Sequence, residues 1–149
     1  MSSPHVAPIR VTFAKITRIL AMTTGTLVVV QFALAGFGAF DAFQKQHGFK
    51  PHEVLGDIIG GFTVLVLIAA FIARANNRML IQASLLFIMA APLQQVLASV
   101  GKDHPWVGAI HALVGVFILG ATFGLSLKST AHFGIPVGRG ATSTDSTTS

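Results

Sequence analysis

Residues 52–63, HEVLGDIIGGFT, and residues 111–122, HALVGVFILGAT, are two copies of one pattern, H-x3-G-x4-G-x-T, and each leads into a long apolar run. The runs extend over residues 54–73 and 106–127, and two more of similar length occupy residues 19–40 and 79–100. Each has about 20 residues, the length an α-helix needs to cross roughly 30 Å of hydrocarbon. Backbone groups find no water in lipid, so such runs must be helical. The expected fold is all-α: an integral membrane four-helix bundle.

The duplication reaches upstream of the histidines. Gln31-x-x-Leu34-Ala35-x-x-Gly38, near the end of the first run, recurs as Gln94-x-x-Leu97-Ala98-x-x-Gly101 near the end of the third. The unit is therefore a helical hairpin used twice in one orientation, which relates the copies by an axis along the membrane normal. The second and fourth spans become symmetry mates, and His52 and His111 are expected to face each other at similar depth. The domain organisation follows as an N-terminal segment over residues 1–18, a bundle over 19–127 and a tail over 128–149. The Gly, Ser and Thr content of the tail predicts disorder from about residue 134.

Of the 149 residues 52% are hydrophobic and 10% charged, which excludes a soluble globule. The formal charge of +5 is spread over the ends of the spans instead of gathered on one face, which excludes nucleic acid as a partner. Arg10, Lys15, Arg18, Arg74, Arg78, Lys128 and Arg139 flank one end of the spans, against Lys45, Lys50 and Lys102 at the other. By the positive-inside rule both termini are cytoplasmic. The N-terminal basic stretch, apolar run and Ala33-Leu34-Ala35 imitate a cleavable leader, but the run continues to Phe40 and is read as a span.

The absence of cysteine excludes disulfides, iron–sulfur clusters, thiolate metal sites and covalent haem attachment, leaving histidine as the main candidate ligand. A lone histidine in hydrocarbon reads as a hydrogen-bonded packing residue; two at repeat-equivalent positions point to one shared object. Positions i, i+4 and i+11 of a helix lie within about 40° of one another, so His52, Gly56 and Thr63 share a face, as do His111, Gly115 and Thr122. Glycine one turn below each histidine leaves room for a porphyrin between the helices, although Gly56-x-x-x-Gly60 and Gly120-x-x-x-Gly124 also fit general helix packing. The expected cofactor is haem b, its iron held by His52 and His111, with Gly56, Gly115, Gln31, Gln94 and Gln95 around it. The glutamines would orient the second ring nitrogens or bond a propionate.

Lys45, Lys50, Lys102 and His104 stand above that site, facing the propionates. An alternative uses His47 and His104 with the pair as a copper or zinc site. Asp57 lies about 140° from the histidine face and is replaced in the second copy by Val116, so it is expected to meet another helix, a partner or interfacial water. Glu53 reads as solvated, and His5 and His132 as uninvolved.

With these residues in view the chain resembles an uncharacterised family of small four-span bacterial membrane proteins. Its pattern is Q-x-x-L-A-G near the end of span one, H-x-x-x-G in span two, Q-x-x-L-A in span three and H-x-x-x-G in span four. It is also similar to one four-helix half of haem A synthase, and to b-type cytochrome membrane bundles. That resemblance implies haem ligation by His52 and His111 in a bacterial plasma (inner) membrane. The enzyme's active half carries a glutamate ahead of a histidine-arginine pair on its second helix, whereas here His52 follows Pro51 and precedes Glu53. What the resemblance leaves is haem binding for electron transfer or haem handling, by an electron carrier or complex subunit more than a stand-alone enzyme. The implied partners are the lipid bilayer, a redox partner or larger membrane complex, and a quinone. The alternative of a different class is a haem-free structural or assembly subunit of a larger, for instance respiratory, complex. Spans one, three and four lack a deep carboxylate, which opposes a transporter.

Overall fold

The computed structural model describes residues 7–41, 48–128 and 130–133. It contains α1 (Pro8–Asp41), α2 (Lys50–Ile72), α3 (Asn77–Ile88), α4 (Gln94–Gly101) and α5 (Pro105–Ser126). A π-helical turn, Met89–Leu93, joins α3 to α4, and a 3₁₀ turn, Thr130–Phe133, follows α5. The third span is thus one helical rod, Asn77–Gly101. The described residues contain no strand, and the chain is an all-α bundle. His5, Lys45, His47, Arg139 and the tail expected to be disordered from residue 134 lie outside the described residues.

Local chemistry explains the helix starts. Pro51 and Pro105 occupy the first turns of α2 and α5, where a missing N–H costs nothing. Asn76 caps α3 by accepting from the Met79 N–H at 3.0 Å. α1 begins at Pro8, so residues 8–18 are helical and continuous with the first apolar run. Its 34 residues make a rod of about 51 Å, longer than hydrocarbon requires.

α1 packs between α2 and α5, and the third span packs between the same two helices on the other side. α2 and α5 therefore stand on one diagonal of the bundle. Only 17% to 28% of each apolar window is buried inside it, leaving Ile, Val, Leu and Phe side chains outward on every span. Such a surface suits lipid, and the chain is a multi-pass membrane-helical protein.

The interior is built from small side chains, among them Ala14, Ala21, Ala70 and Ala83, which let backbones approach where lipid gives no hydrophobic drive for helices to associate. Thr17, Thr24, Thr63 and Thr122 are fully buried, and each hydroxyl donates to a carbonyl of its own helix at 2.7 to 2.8 Å. The repeat mates Thr63 and Thr122 both bond three residues back, to Gly60 and Leu119.

At the end of the bundle where α1 begins and α5 ends, two arginines of α1 bond to neighbouring helices. Arg10 donates to the carbonyls of Ala73 and Arg74, each at 3.2 Å, and Arg18 to that of Ser126 at 3.0 Å. These are carbonyls at the C-terminal ends of α2 and α5, which lack helical partners and carry the negative end of the macrodipole. Asn76 holds the start of the C-terminal segment, donating from its side chain to the His132 carbonyl at 2.9 Å and from its backbone to that of Phe133 at 3.1 Å. The Phe133 ring is fully buried.

Candidate functional site

At the opposite end, His52 is the third residue of α2 and His111 the seventh of α5. Because those helices form the diagonal, the two rings meet across the bundle axis, with centroids 6.1 Å apart and planes at 61°. Both residues are half-buried. Phe49, just ahead of α2, stands edge-on to His52 at 6.3 Å.

The repeat symmetry extends to the polar contacts. Gln31 donates from its side chain to the His52 carbonyl at 2.8 Å, and Gln94 does the same to the His111 carbonyl at 3.1 Å. In the first copy the bond is returned, with His52 Nδ1 at 3.1 Å from the Gln31 carbonyl. A carbonyl only accepts, so Nδ1 carries the proton and Nε2 keeps a free lone pair. In the second copy the Gln94 backbone lies beside the His111 ring in the corresponding way, but His111 Nδ1, also buried, falls outside hydrogen-bond geometry with it. The Oε1 atoms of Gln31 and Gln94 are also buried and unbonded. Two amide oxygens without a partner among the described residues thus flank one histidine pair, at a cost of about 1–3 kcal/mol for each that stays unbonded.

The glycines below the histidines lie against side chains of the neighbouring spans. A Cβ on Gly56 would stand 3.2 Å from Gln31 Nε2, and one on Gly115 would stand 3.1 Å from the ring of Phe32 and 3.7 Å from Gln94 Nε2. They admit the neighbouring span and its glutamine to the histidine carbonyl. Phe32 was not singled out by sequence.

Gln95 does not join this group. Its amide donates to Asp57 Oδ1 at 2.6 Å, making an exposed polar pair on the seam between α2 and the third span. The repeat-equivalent positions hold Phe32 and Val116, and the Phe32 ring lies against Gly115 of α5, so the two hairpins meet through a polar contact on one side and an apolar one on the other. Adjacent helical residues point about 100° apart, so Gln94 and Gln95 serve different neighbours. The π-helical turn at Met89–Leu93 sets which one turns inward. It contains Pro92, whose ring and missing N–H break the regular ladder, and its wider turn rotates α4 relative to α3. Pro92 is visible in the sequence and was the available signal.

Lys50 and Lys102 lie above the pair, but both face Glu53, at 3.6 and 3.7 Å. These bridges are solvent-exposed and contribute about 0–1 kcal/mol. His104 is exposed at the start of α5. Among the described residues no three His, Cys, Asp or Glu side chains converge as a metal site, and the His47 part of the copper or zinc alternative lies outside them.

Residues 31–101 match the model of a family of unknown function, DUF6220. The matched stretch takes in Gln31, His52, Gly56, Asp57, Gln94 and Gln95 and stops before His111 and Gly115. No curated protein and no solved structure matches the chain.

Proposed function

We propose that this protein binds one b-type haem between His52 and His111, for electron transfer or haem handling. The observation that carries the reading is the spacing of the two rings. An imidazole nitrogen about 2 Å from a metal puts its ring centre about 3 Å away, so two rings on opposite sides of one ion stand about 6 Å apart. The separation here is 6.1 Å.

The donor set favours haem over a bare ion. Zinc or copper is ordinarily held by three or four protein donors, and the described residues bring two histidines together without a third ligand. Haem iron carries four nitrogens of its own and needs only two from the protein. When bound, it would supply one-electron redox chemistry, with His52 and His111 as the residues that would hold it.

The chain's own residues do the positioning. The Gln31 carbonyl fixes the His52 tautomer that leaves Nε2 available, the usual outer contact of a ligating histidine. Gln31 and Gln94 tie each ligand-bearing helix to its hairpin partner at the depth of the ring. The resemblance to one half of haem A synthase supports the same pair. With both termini cytoplasmic in a bacterial plasma membrane, the site lies near the outer face. Electrons cannot cross about 30 Å of hydrocarbon from one centre, so a redox partner, larger complex or quinone is required.

The exposed Asp57–Gln95 pair favours a second reading, a haem-free structural or assembly subunit of a larger membrane complex, because a carboxylate facing lipid calls for a partner. Absorption spectra separate the two. Protein purified in mild detergent after expression with added haem should give a sharp reduced α-band at near-stoichiometric haem, lost in His52→Ala and in His111→Ala and kept in His104→Ala. A colourless, well-folded protein would sink the haem reading.

A further inference from the structure

At the terminal end, away from the histidines, a groove of about 300 Å³ opens between α3 and α5. Gln82, Leu85, Leu86 and Met89 line it on the third span, and Phe117, Ala121, Gly124 and Leu125 line it on α5, down to Lys128 at the mouth. The spacing on each side follows one helical stripe, so the groove runs along the bundle instead of across it. From Phe117 to Lys128 it is about 16 Å long, close to half of a bilayer's roughly 30 Å hydrocarbon core and so to one leaflet.

Among the described residues its mouth is cationic without a counter-charge. Lys128 Nζ donates to Gln82 Oε1 at 2.5 Å, a neutral acceptor. Arg78 stands one helical turn before Gln82 on α3 and so on the same face, and after burial its charge is the second cause holding the Lys128 ammonium below the ordinary lysine range. Four of the five carboxylate residues, Asp41, Glu53, Asp57 and Asp103, belong to the histidine end, and the fifth, Asp145, lies outside the described residues. The described residues of the terminal end thus present cations alone.

We propose that this groove is a binding site for one anionic phospholipid, its acyl chain lying between α3 and α5 and its phosphate held by Lys128 and Arg78. Basic groups at the interfacial mouth of an inter-helix groove are the ordinary recognition chemistry for such headgroups. The site is independent of the histidine pair. Gly124 and Ala121 form its small-residue wall, and a Cβ at Gly124 meets nothing within 4 Å, so the space belongs to the groove and not to the core.

The test uses the full chain in phosphatidylcholine vesicles, with phosphatidylglycerol or phosphatidylcholine spin-labelled on the acyl chain, and reads the immobilised lipid fraction by electron paramagnetic resonance. Phosphatidylglycerol should be preferred, and Lys128→Gln and Arg78→Gln should each reduce that preference roughly fivefold, as about 1 kcal/mol per surface charge implies. Lys15→Gln, an exposed cation of α1 that does not line the groove, should leave it unchanged. Gly124→Leu fills the groove with both charges intact and should abolish the preference. Circular dichroism of each variant confirms folding, and Ala121→Leu stands in if Gly124→Leu does not fold. Equal immobilisation of both lipids, a preference surviving both charge variants, an equal loss in Lys15→Gln, or displacement by inorganic phosphate would each overturn the proposal.

Discussion

Replacing Gln31 or Gln94 by leucine distinguishes a polar contact kept for stability from one kept for a bound group. Each glutamine side chain makes one hydrogen bond, to the His52 or His111 carbonyl, and leaves Oε1 buried and unbonded among the described residues. Losing the bond costs about 0.5–1.5 kcal/mol, while removing the orphaned acceptor returns about 1–3 kcal/mol. The carbonyls are not stranded, because each lies inside a helix whose ladder still supplies an N–H four residues on. Gln31→Leu and Gln94→Leu should therefore be neutral to about 2 kcal/mol stabilising in the cofactor-free protein. Reversible unfolding in mixed micelles, followed by far-ultraviolet circular dichroism, measures this. The same variants should lower haem occupancy, since the histidine helices lose their tie at ring depth. A loss of more than about 2 kcal/mol in both cofactor-free variants would refute the reasoning, since it would require Oε1 to have a partner in the native protein.

Three further outcomes follow from the packing. Gly25→Ala places a Cβ 2.8 Å from Thr122 Oγ1 and should cost about 1–3 kcal/mol, whereas Gly61→Ala and Gly120→Ala meet nothing within 4 Å and should gain up to about 1 kcal/mol in the same unfolding assay. The double change Asp57→Val with Gln95→Phe copies the Val116–Phe32 seam, and should raise the midpoint in micelles if the polar pair serves a partner rather than the fold. Lys128 is held below the usual lysine pKa of 10.5 by burial first and Arg78 second. Just below that value the unfolded chain binds more protons than the folded one, so stability should rise with pH there, and Lys128→Met should remove the rise.

The two capping arginines and the glutamine pair place the burden of holding the bundle on α1 and the third span, the diagonal that carries no histidine. α2 and α5 then meet the bundle axis through imidazoles, small residues and buried threonines. The geometry of the histidine pair is thus fixed from the flanks.

The number of spans, the approximate limits of the last three, the hairpin repeat and the similar depth of His52 and His111 were legible in sequence, because apolar run length and spacing along one helix are local properties; the start of α1 at Pro8, eleven residues ahead of its apolar run, was not. The rotation of each helix was not. Lipid is as apolar as the core, so outward and inward faces differ little in hydropathy and amphipathic periodicity cannot orient a span. Only the tertiary structure decided that Gly56 and Gly115 make room for Gln31, Phe32 and Gln94, that the turn at Pro92 divides Gln94 from Gln95, and that Gln95 joins Asp57. The arginines of α1 follow the same logic. Their charge was plain in the sequence, but that Arg10 and Arg18 cap α2 and α5 depends on which helix ends packing brings beside them.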